Sequence, residues 1–266
     1  MEPKIKFEHV TKIFHTRSQD IIAVKDYSME IQPGEFVAIL GPSGCGKSTL
    51  IRMLDGIIDT TEGNIYIDGQ KVNFAGKKMP TEVLRKMGFI FQQPNMLPWF
   101  TVRQNVALPL DVFNLKGKEW EDRVDMLLEM VGLQDYANAY PHEISGGMLQ
   151  RAGVIRAMVH DPEILLMDEP YGALDELTRE QMNMELLDIW SKTKKTIIFI
   201  THNIEEAVLL SDKVYVMGTH PGRLVEVVDL ELERPRQLSM ITQPKFIGYR
   251  QYLESAIGEI DLSKIK

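Results

Sequence analysis

The chain has 266 residues, 44% of them hydrophobic and 26% charged, enough to bury the core of one large domain or of a domain with a subdomain. With 38 acidic against 30 basic side chains the net charge is −8, which argues against unspecific nucleic-acid binding, since that needs a basic face to displace counterions. Cys45 is the only cysteine, so no intrachain disulfide forms, and neither a signal-peptide core nor an apolar run near the ~20 residues of a spanning helix is seen; a cytoplasmic protein is expected, and work at a membrane would need a separate spanning partner.

Residues 5–14 (IKFEHVTKIF) and 22–31 (IAVKDYSMEI) alternate apolar and polar side chains, the period of half-buried strands. Residues 33–35 (PGE) form a turn, and 36–40 (FVAIL) reads as a fully buried strand. After a glycine-rich loop, 48–55 is helical until Gly56 breaks it; 63–72 (GNIYIDGQKV) then reads as a hairpin strand turning at Asp68-Gly69. From about Lys118 the period changes: Trp120, Val124, Leu127, Leu128 and Val131 fall at helical spacing, ending near Gly132. More helix is predicted over 149–160. Two continuous apolar runs, 163–170 (EILLMDEP) and 196–202 (TIIFITH), flank the helical 177–190, an order that suggests a right-handed crossover in a parallel sheet. Strands over 213–218 and 223–232 and a polar, partly helical tail close the chain. The predicted class is α/β, with a mostly helical insertion between roughly 92 and 160.

Between the buried strand and its helix stand Gly41, Pro42, Ser43, Gly44, Cys45, Gly46, Lys47, Ser48 and Thr49, which fill the phosphate-loop template G-x-x-x-x-G-K-[ST]. Glycines let such a backbone turn its N–H groups inward as an anion nest opening onto a helix N-terminus. Lys47 would reach the β- and γ-phosphates, the Ser48 hydroxyl would bind Mg²⁺, and Thr49 is the next potential donor. The loop needs a carboxylate to hold the metal, and the strand 163–170 delivers Asp168 and then Glu169 at its C-terminal edge, where ligands bind in open α/β sheets. Asp168 would support Mg²⁺, and Glu169 would orient or deprotonate the attacking water. Alone, an Asp-Glu pair is more often a solvated helix cap; the apolar strand before it and the phosphate loop favour the metal site.

Ser145-Gly146-Gly147, before the helix at 149–160, is a second potential anion-binding turn. Together the phosphate loop, "ISGGMLQR" (144–151) and "LLMDEP" resemble the signature of ATP-binding-cassette (ABC) ATPases, with Ile144 for the usual leucine and Met148 for the usual glutamine. Over residues 4–220 six motifs coincide in the family's order. The resemblance implies a P-loop NTPase (RecA-like) core with a mostly parallel sheet, an N-terminal antiparallel β subdomain and an inserted helical subdomain, divided as 1–91 with 161–220 (core and β subdomain), 92–160 (helical) and 221–266 (C-terminal extension). It makes Phe14 the ring that stacks on adenine, Gln92 the glutamine that links the metal site to the helical subdomain, Asp175 of "GALD" a residue of the dimer-interface loop, and His202 the switch histidine near the γ-phosphate. On local chemistry alone Phe14 is equally a core residue and His202 a surface histidine, and Gln93 adjoins Gln92. The family also has serine more often where Gly172 stands.

The resemblance further implies two subunits closing head to tail around two ATP molecules, with the Ser145-Gly146-Gly147-Met148 turn of one facing the γ-phosphate held by Lys47 of the other, and Mg²⁺-dependent hydrolysis by electrostatic positioning. "QQPNMLPWFTVRQNV" (92–106) places Leu97-Pro98-Trp99 where the family meets its membrane partner, although Trp99 could equally be an internal staple. With "SGGM" and the ending "HPGRLVEVVDLELERPR", this resembles the nitrate/sulfonate/taurine importer subfamily. The expectation is an ATPase subunit peripheral to the cytoplasmic face of a membrane, partnered by a permease and, through it, a solute-binding protein. A lipid-handling or export ATPase, or a nucleic-acid-associated one, is the alternative.

Overall fold

The computed structural model describes residues 2–72, 76, 78–172 and 174–262. In chain order the elements are β1 (Ile5–His15), β2 (Asp20–Ile31), β3 (Phe36–Leu40), α1 (Lys47–Leu54), β4 (Glu62–Ile67), β5 (Gln70–Lys71), α2 (Thr81–Arg85), β6 (Met87–Ile90), α3 (Val102–Val112), α4 (Lys118–Met130), α5 (Gly146–Met158), β7 (Ile164–Asp168), α6 (Glu176–Thr193), β8 (Thr196–Thr201), α7 (Ile204–Leu210), β9 (Lys213–Gly218), β10 (Arg223–Asp229) and α8 (Pro244–Leu262). They fall into two compact units: Met1–Pro80 with Asn183–Lys266, and Thr81–Met182.

The first unit holds an antiparallel sheet in the order β2-β1-β4-β5. Its strands alternate, burying Ile5, Phe7, Val10, Tyr27, Met29 and Ile31 on one face. The β4–β5 hairpin turns on Asp68 and Gly69, both at positive φ (49° and 69°), as a two-residue turn of matching twist requires. A second sheet segment runs β10-β9-β3-β8. Here β3 is parallel to both β8 and β9, while β10 returns antiparallel to β9. All five residues of β3 and all six of β8 are buried, so these strands read as unbroken apolar runs rather than alternations.

In the second unit β6 lies parallel to β7. Beside this pair is a helical core in which α3, α4 and α5 bury Val102, Val106, Leu110, Val124, Leu127, Leu128, Ala152 and Ile155, with Trp120, Ile144 and Met148 packed against them. Within α3 the buried positions are 102, 105, 106 and 110, a helical stripe that includes one polar residue, Asn105. Thr101 and Gln104 form a capping box that starts α3. No helix among the described residues is long and apolar enough to cross a membrane.

Candidate active site

In the first unit, β3 delivers the chain directly into the loop at 41–46. A Cβ at Gly41 would stand 2.5 Å from the Met217 carbonyl oxygen and 3.0 Å from Cys45 Sγ. Gly46 has φ of +99°, and a Cβ there would come within 2.9 Å of the Ala23 oxygen. Only glycine satisfies both positions, so the loop is held tightly against β9 and β2 while its crest, Ser43 and Gly44, is exposed. Gly46 is also the N-cap of α1, which has no side-chain cap and no acidic residue in its first turn. Its positive end is therefore not compensated by its own sequence and suits an anion. Lys47 is buried and folds back over the loop, its Nζ donating to the carbonyl oxygens of Gly41 (2.8 Å) and Pro42 (3.1 Å). The Cys45 thiol is buried, and Ser48 and Thr49 are half-buried.

Two other predicted residues lie in this unit. Phe14, near the end of β1, is 38% exposed with Lys12 Nζ 5.0 Å from its ring centre, so it is not a core residue. His202 is exposed immediately after β8. Around it, Thr201 Oγ1 accepts from Asn203 N (2.9 Å) and donates to Glu206, while the Asn203 side chain caps α7 by accepting from Glu205 N (2.9 Å) and Glu206 N (3.2 Å). The strand end and the helix start thus fix the backbone on both sides of the histidine.

In the second unit, β7 ends at Asp168, half-buried, followed by Glu169 at φ +45°. A glutamate in this left-handed region is strained, and such strain persists where the surroundings hold it. Pro170 O accepts from the buried Gln150 side chain of α5, and Gly172 N donates to Glu169 O at 3.2 Å. A Cβ at Gly172 would lie 3.4 Å from Gln92 Nε2 and 3.9 Å from Glu169 Oε2, so Gln92 and Glu169 meet at this glycine. Of the two neighbouring glutamines, Gln92 is thereby the one placed beside the acidic strand end. Asp175 is exposed and caps α6: Thr178 N and Thr178 Oγ1 donate to its carboxylate at 3.0 and 2.7 Å, which holds its pKa below the usual value. Ala173, within "GALD", lies outside the described residues.

Ser145 caps α5 by accepting from Met148 N at 3.3 Å. Ser145 and Gly146 are exposed, a Cβ at Gly146 would meet nothing within 4 Å, and no acidic residue stands in the first turn. Farther along, Trp99 is 67% exposed. Its loop is held from beneath by residues that sequence reasoning did not single out. Asn105, fully buried, accepts from Leu97 N (2.7 Å) and donates to the oxygens of Leu97, Phe100 and Thr101 at 3.0–3.1 Å. Arg156 donates to the oxygens of Asn95 and Pro94. The available signal was an asparagine within the apolar stripe of α3.

Among the described residues, no three His, Cys, Asp or Glu side chains cluster to hold a metal. The features that are present are those of a phosphate cradle at a helix start and an acidic strand end beside a glutamine, each set on its own unit.

These features define a nucleotide-binding protein of the phosphate-loop class, and comparison with known proteins narrows the class. The ABC transporter family profile matches residues 24–172. The chain is 40% identical to an uncharacterized ABC transporter ATP-binding protein of Methanocaldococcus jannaschii, over 100% of this chain and 96% of that one. It is also 40% identical to the aliphatic sulfonates import ATP-binding protein SsuB of Bacillus cereus, over 87% of this chain and 88% of that one. Among solved structures, it resembles a dimeric ATP-binding cassette in a post-hydrolysis state bound to ADP and Pi, at TM-score 0.75 and 34% identity, covering 86% of this chain and 100% of that one. The chain belongs to the ABC transporter family and is an ATP-binding, ATP-hydrolysing subunit of a transporter.

Proposed function

We propose that the chain drives a membrane importer for a small anion or organic solute of the nitrate/sulfonate/taurine type, by ATP-dependent closure of two copies. The observation that carries this reading is the Trp99 loop: a large aromatic side chain, 67% exposed, on backbone that Asn105 and Arg156 hold rigid. Holding an exposed indole on a fixed loop lowers the entropy lost when a partner covers it, which is how aromatic anchors act at interfaces. Trp99 is therefore a docking residue for the permease's cytoplasmic face, and the solute-binding protein is reached through the permease. The 40% identity to a sulfonate importer's ATPase favours import over export.

In the proposed cycle Phe14 stacks on adenine, and the backbone of 41–46 with Lys47 and Thr49 binds the phosphates. Ser48, Asp168 and Gln92 are the residues that would hold Mg²⁺. When bound, Mg²⁺ would supply neutralisation of the phosphate charge. Glu169 orients the attacking water and takes its proton, and His202 senses the γ-phosphate. Ser145, Gly146, Gly147 and Met148 complete the site of a second copy, whose contact is framed by Asp175.

Two measurements test this. Glu169→Gln should keep ATP binding and lower hydrolysis by at least about 100-fold; undiminished turnover overturns the base assignment. The full chain, purified from membranes of its own host, should bring a permease with it. Trp99→Ala should weaken that co-purification while the isolated chain's ATPase stays unchanged; equal recovery of the permease overturns the docking role.

A further inference from the structure

The base proposed for hydrolysis stands on backbone that needs holding. Glu169 has φ of +45° and directly precedes a proline. A residue in that position is ordinarily pushed to extended backbone, and Pro170 has no N–H to give to a neighbour. Such a conformation persists only where the surroundings fix it. Within the second unit the turn from 169 to 174 is tied through its carbonyl oxygens. Glu169 O accepts from Gly172 N (3.2 Å), and Tyr171 O accepts from Leu174 N (3.1 Å) and Arg179 Nε (3.4 Å). Leu174 O accepts from Arg179 Nη2 at 2.7 Å. These ties come from the turn itself or from α6, which follows it.

The carbonyl next to the glutamate is held from another element. Pro170 O accepts from the side-chain amide of Gln150, which stands on α5. Gln150 is 4% exposed, and among the buried residues of α5 it alone has a polar side chain. Burying an amide among apolar groups costs free energy unless the amide is bonded, so packing alone gives no reason for a glutamine there. The hydrogen bond sets the Pro170 carbonyl and with it the plane of the peptide that follows. That peptide lies between the strained glutamate and Gly172, where Gln92 and Glu169 meet.

We propose that Gln150 is a positioning residue for hydrolysis: its amide fixes the Pro170 carbonyl, keeps Glu169 in its left-handed backbone, and so aims the carboxylate at the attacking water. Gln150 is buried and acts through Glu169 rather than on the reacting atoms, so the inference rests on the reading of Glu169 as the base. Misplacing a reacting group by about 1 Å can cost on the order of 100-fold in rate. The phosphate loop that binds ATP belongs to the first unit and does not share this tie. Loss of the amide therefore lowers the rate of hydrolysis and spares ATP affinity.

A double-mutant cycle in the full chain tests this. Gln150→Met keeps the length of the side chain and removes the donor. It should lower the single-turnover rate of ATP hydrolysis by about tenfold and leave the dissociation constant of ATP within about twofold of wild type. In the Glu169→Gln background, where no carboxylate is left to aim, the same substitution should change the residual rate by less than about twofold. A role in packing alone would lower the rate equally in both backgrounds. Gln150→Asn withdraws the amide by one carbon and keeps its polarity; it runs the same cycle if the methionine variant does not fold, and should give the same split. An undiminished rate in the Gln150 variants, an equal loss in both backgrounds, or a loss of ATP affinity that matches the loss of rate overturns the positioning role. Glu169→Gln measured alone keeps the two readings apart. If it hydrolyses ATP at the wild-type rate, the base assignment falls and this inference with it. If it is slow while the Gln150 variants are fast, only this inference falls.

Discussion

Two glycine turns open onto two helices in this protein, and they are built in opposite ways. At the start of α1 the backbone is enclosed: Gly41 and Gly46 touch the Met217 and Ala23 oxygens so closely that no Cβ fits, and Lys47 folds over the loop. At the start of α5 the backbone is open: Gly146 has nothing within 4 Å, and Ser145 spends its hydroxyl on its own helix. The first turn is shaped by its close approach to the Met217 and Ala23 oxygens of its own unit. At the second, a Cβ at Gly147 would stand 3.4 Å from Thr178 Cγ2, but one at Gly146 would meet nothing, so the fold gives no reason for that glycine. The proposed completion of the site by a second copy would account for that difference.

The contrast breaks most visibly at Gly46. Gly46→Ala forces a side chain into a left-handed backbone, which costs about 1–2 kcal/mol, and adds the contact with Ala23. Thermal unfolding should shift down, and ATP affinity, followed with a fluorescent analogue, should fall by about 100-fold, ~2.7 kcal/mol. Unchanged affinity would mean that the loop tolerates a reshaped backbone and that its enclosure is incidental.

Ser145→Arg probes the open turn with a bulky cation. ATP affinity of the separate chain should change by less than about threefold, while steady-state hydrolysis falls by about 100-fold through loss of closure. ATP-dependent dimerisation, read by light scattering, should be present in the wild type and lost in the variant. Equal dimerisation in the two would assign the turn a purely local role.

Cys45 offers a milder test of enclosure. Its thiol is buried, so a maleimide must wait for the loop to open. Labelling should run about 100-fold slower than in the unfolded chain, slow further with ATP bound, and leave a product that hydrolyses ATP poorly. Labelling at the unfolded rate with full activity kept would show a loop that is not closed.

How much of this was legible in the sequence follows the same physics. The buried strand 36–40 and the turn at Asp68-Gly69 were read to the residue, because continuous apolar runs and φ-positive pairs are local signals. The apolar stripe of α4 was read for the same reason. Strand β6 was not assigned: it has only four residues, and its place is given by pairing with β7. Nor was α3 delimited, since Pro109 inside it argues against a helix and only the packing of Val102, Val106 and Leu110 overrides that. In the site, the motif residues were named from their order in the chain, whereas the strain at Glu169, its meeting with Gln92 at Gly172, and the Asn105 clamp under Trp99 are tertiary facts with little local trace.

The smallest effect is the most discriminating. At Gly146, the first residue of α5, alanine meets no atom and suits a helix better than glycine does, so Gly146→Ala should leave stability unchanged or raise it by ~0.5 kcal/mol in urea unfolding. Its own chain therefore supplies no reason for a glycine there. If the turn faces the phosphate of another copy, a methyl group at closest approach must separate backbone from anion, and hydrolysis should drop severalfold although the fold is, if anything, firmer. Gly46→Ala would lose stability and binding together, whereas Gly146→Ala would lose turnover alone. Should Gly146→Ala hydrolyse ATP at the wild-type rate, the glycine would be accounted for by neither fold nor phosphate, and the reading of the second turn as half of a shared site would fall with it.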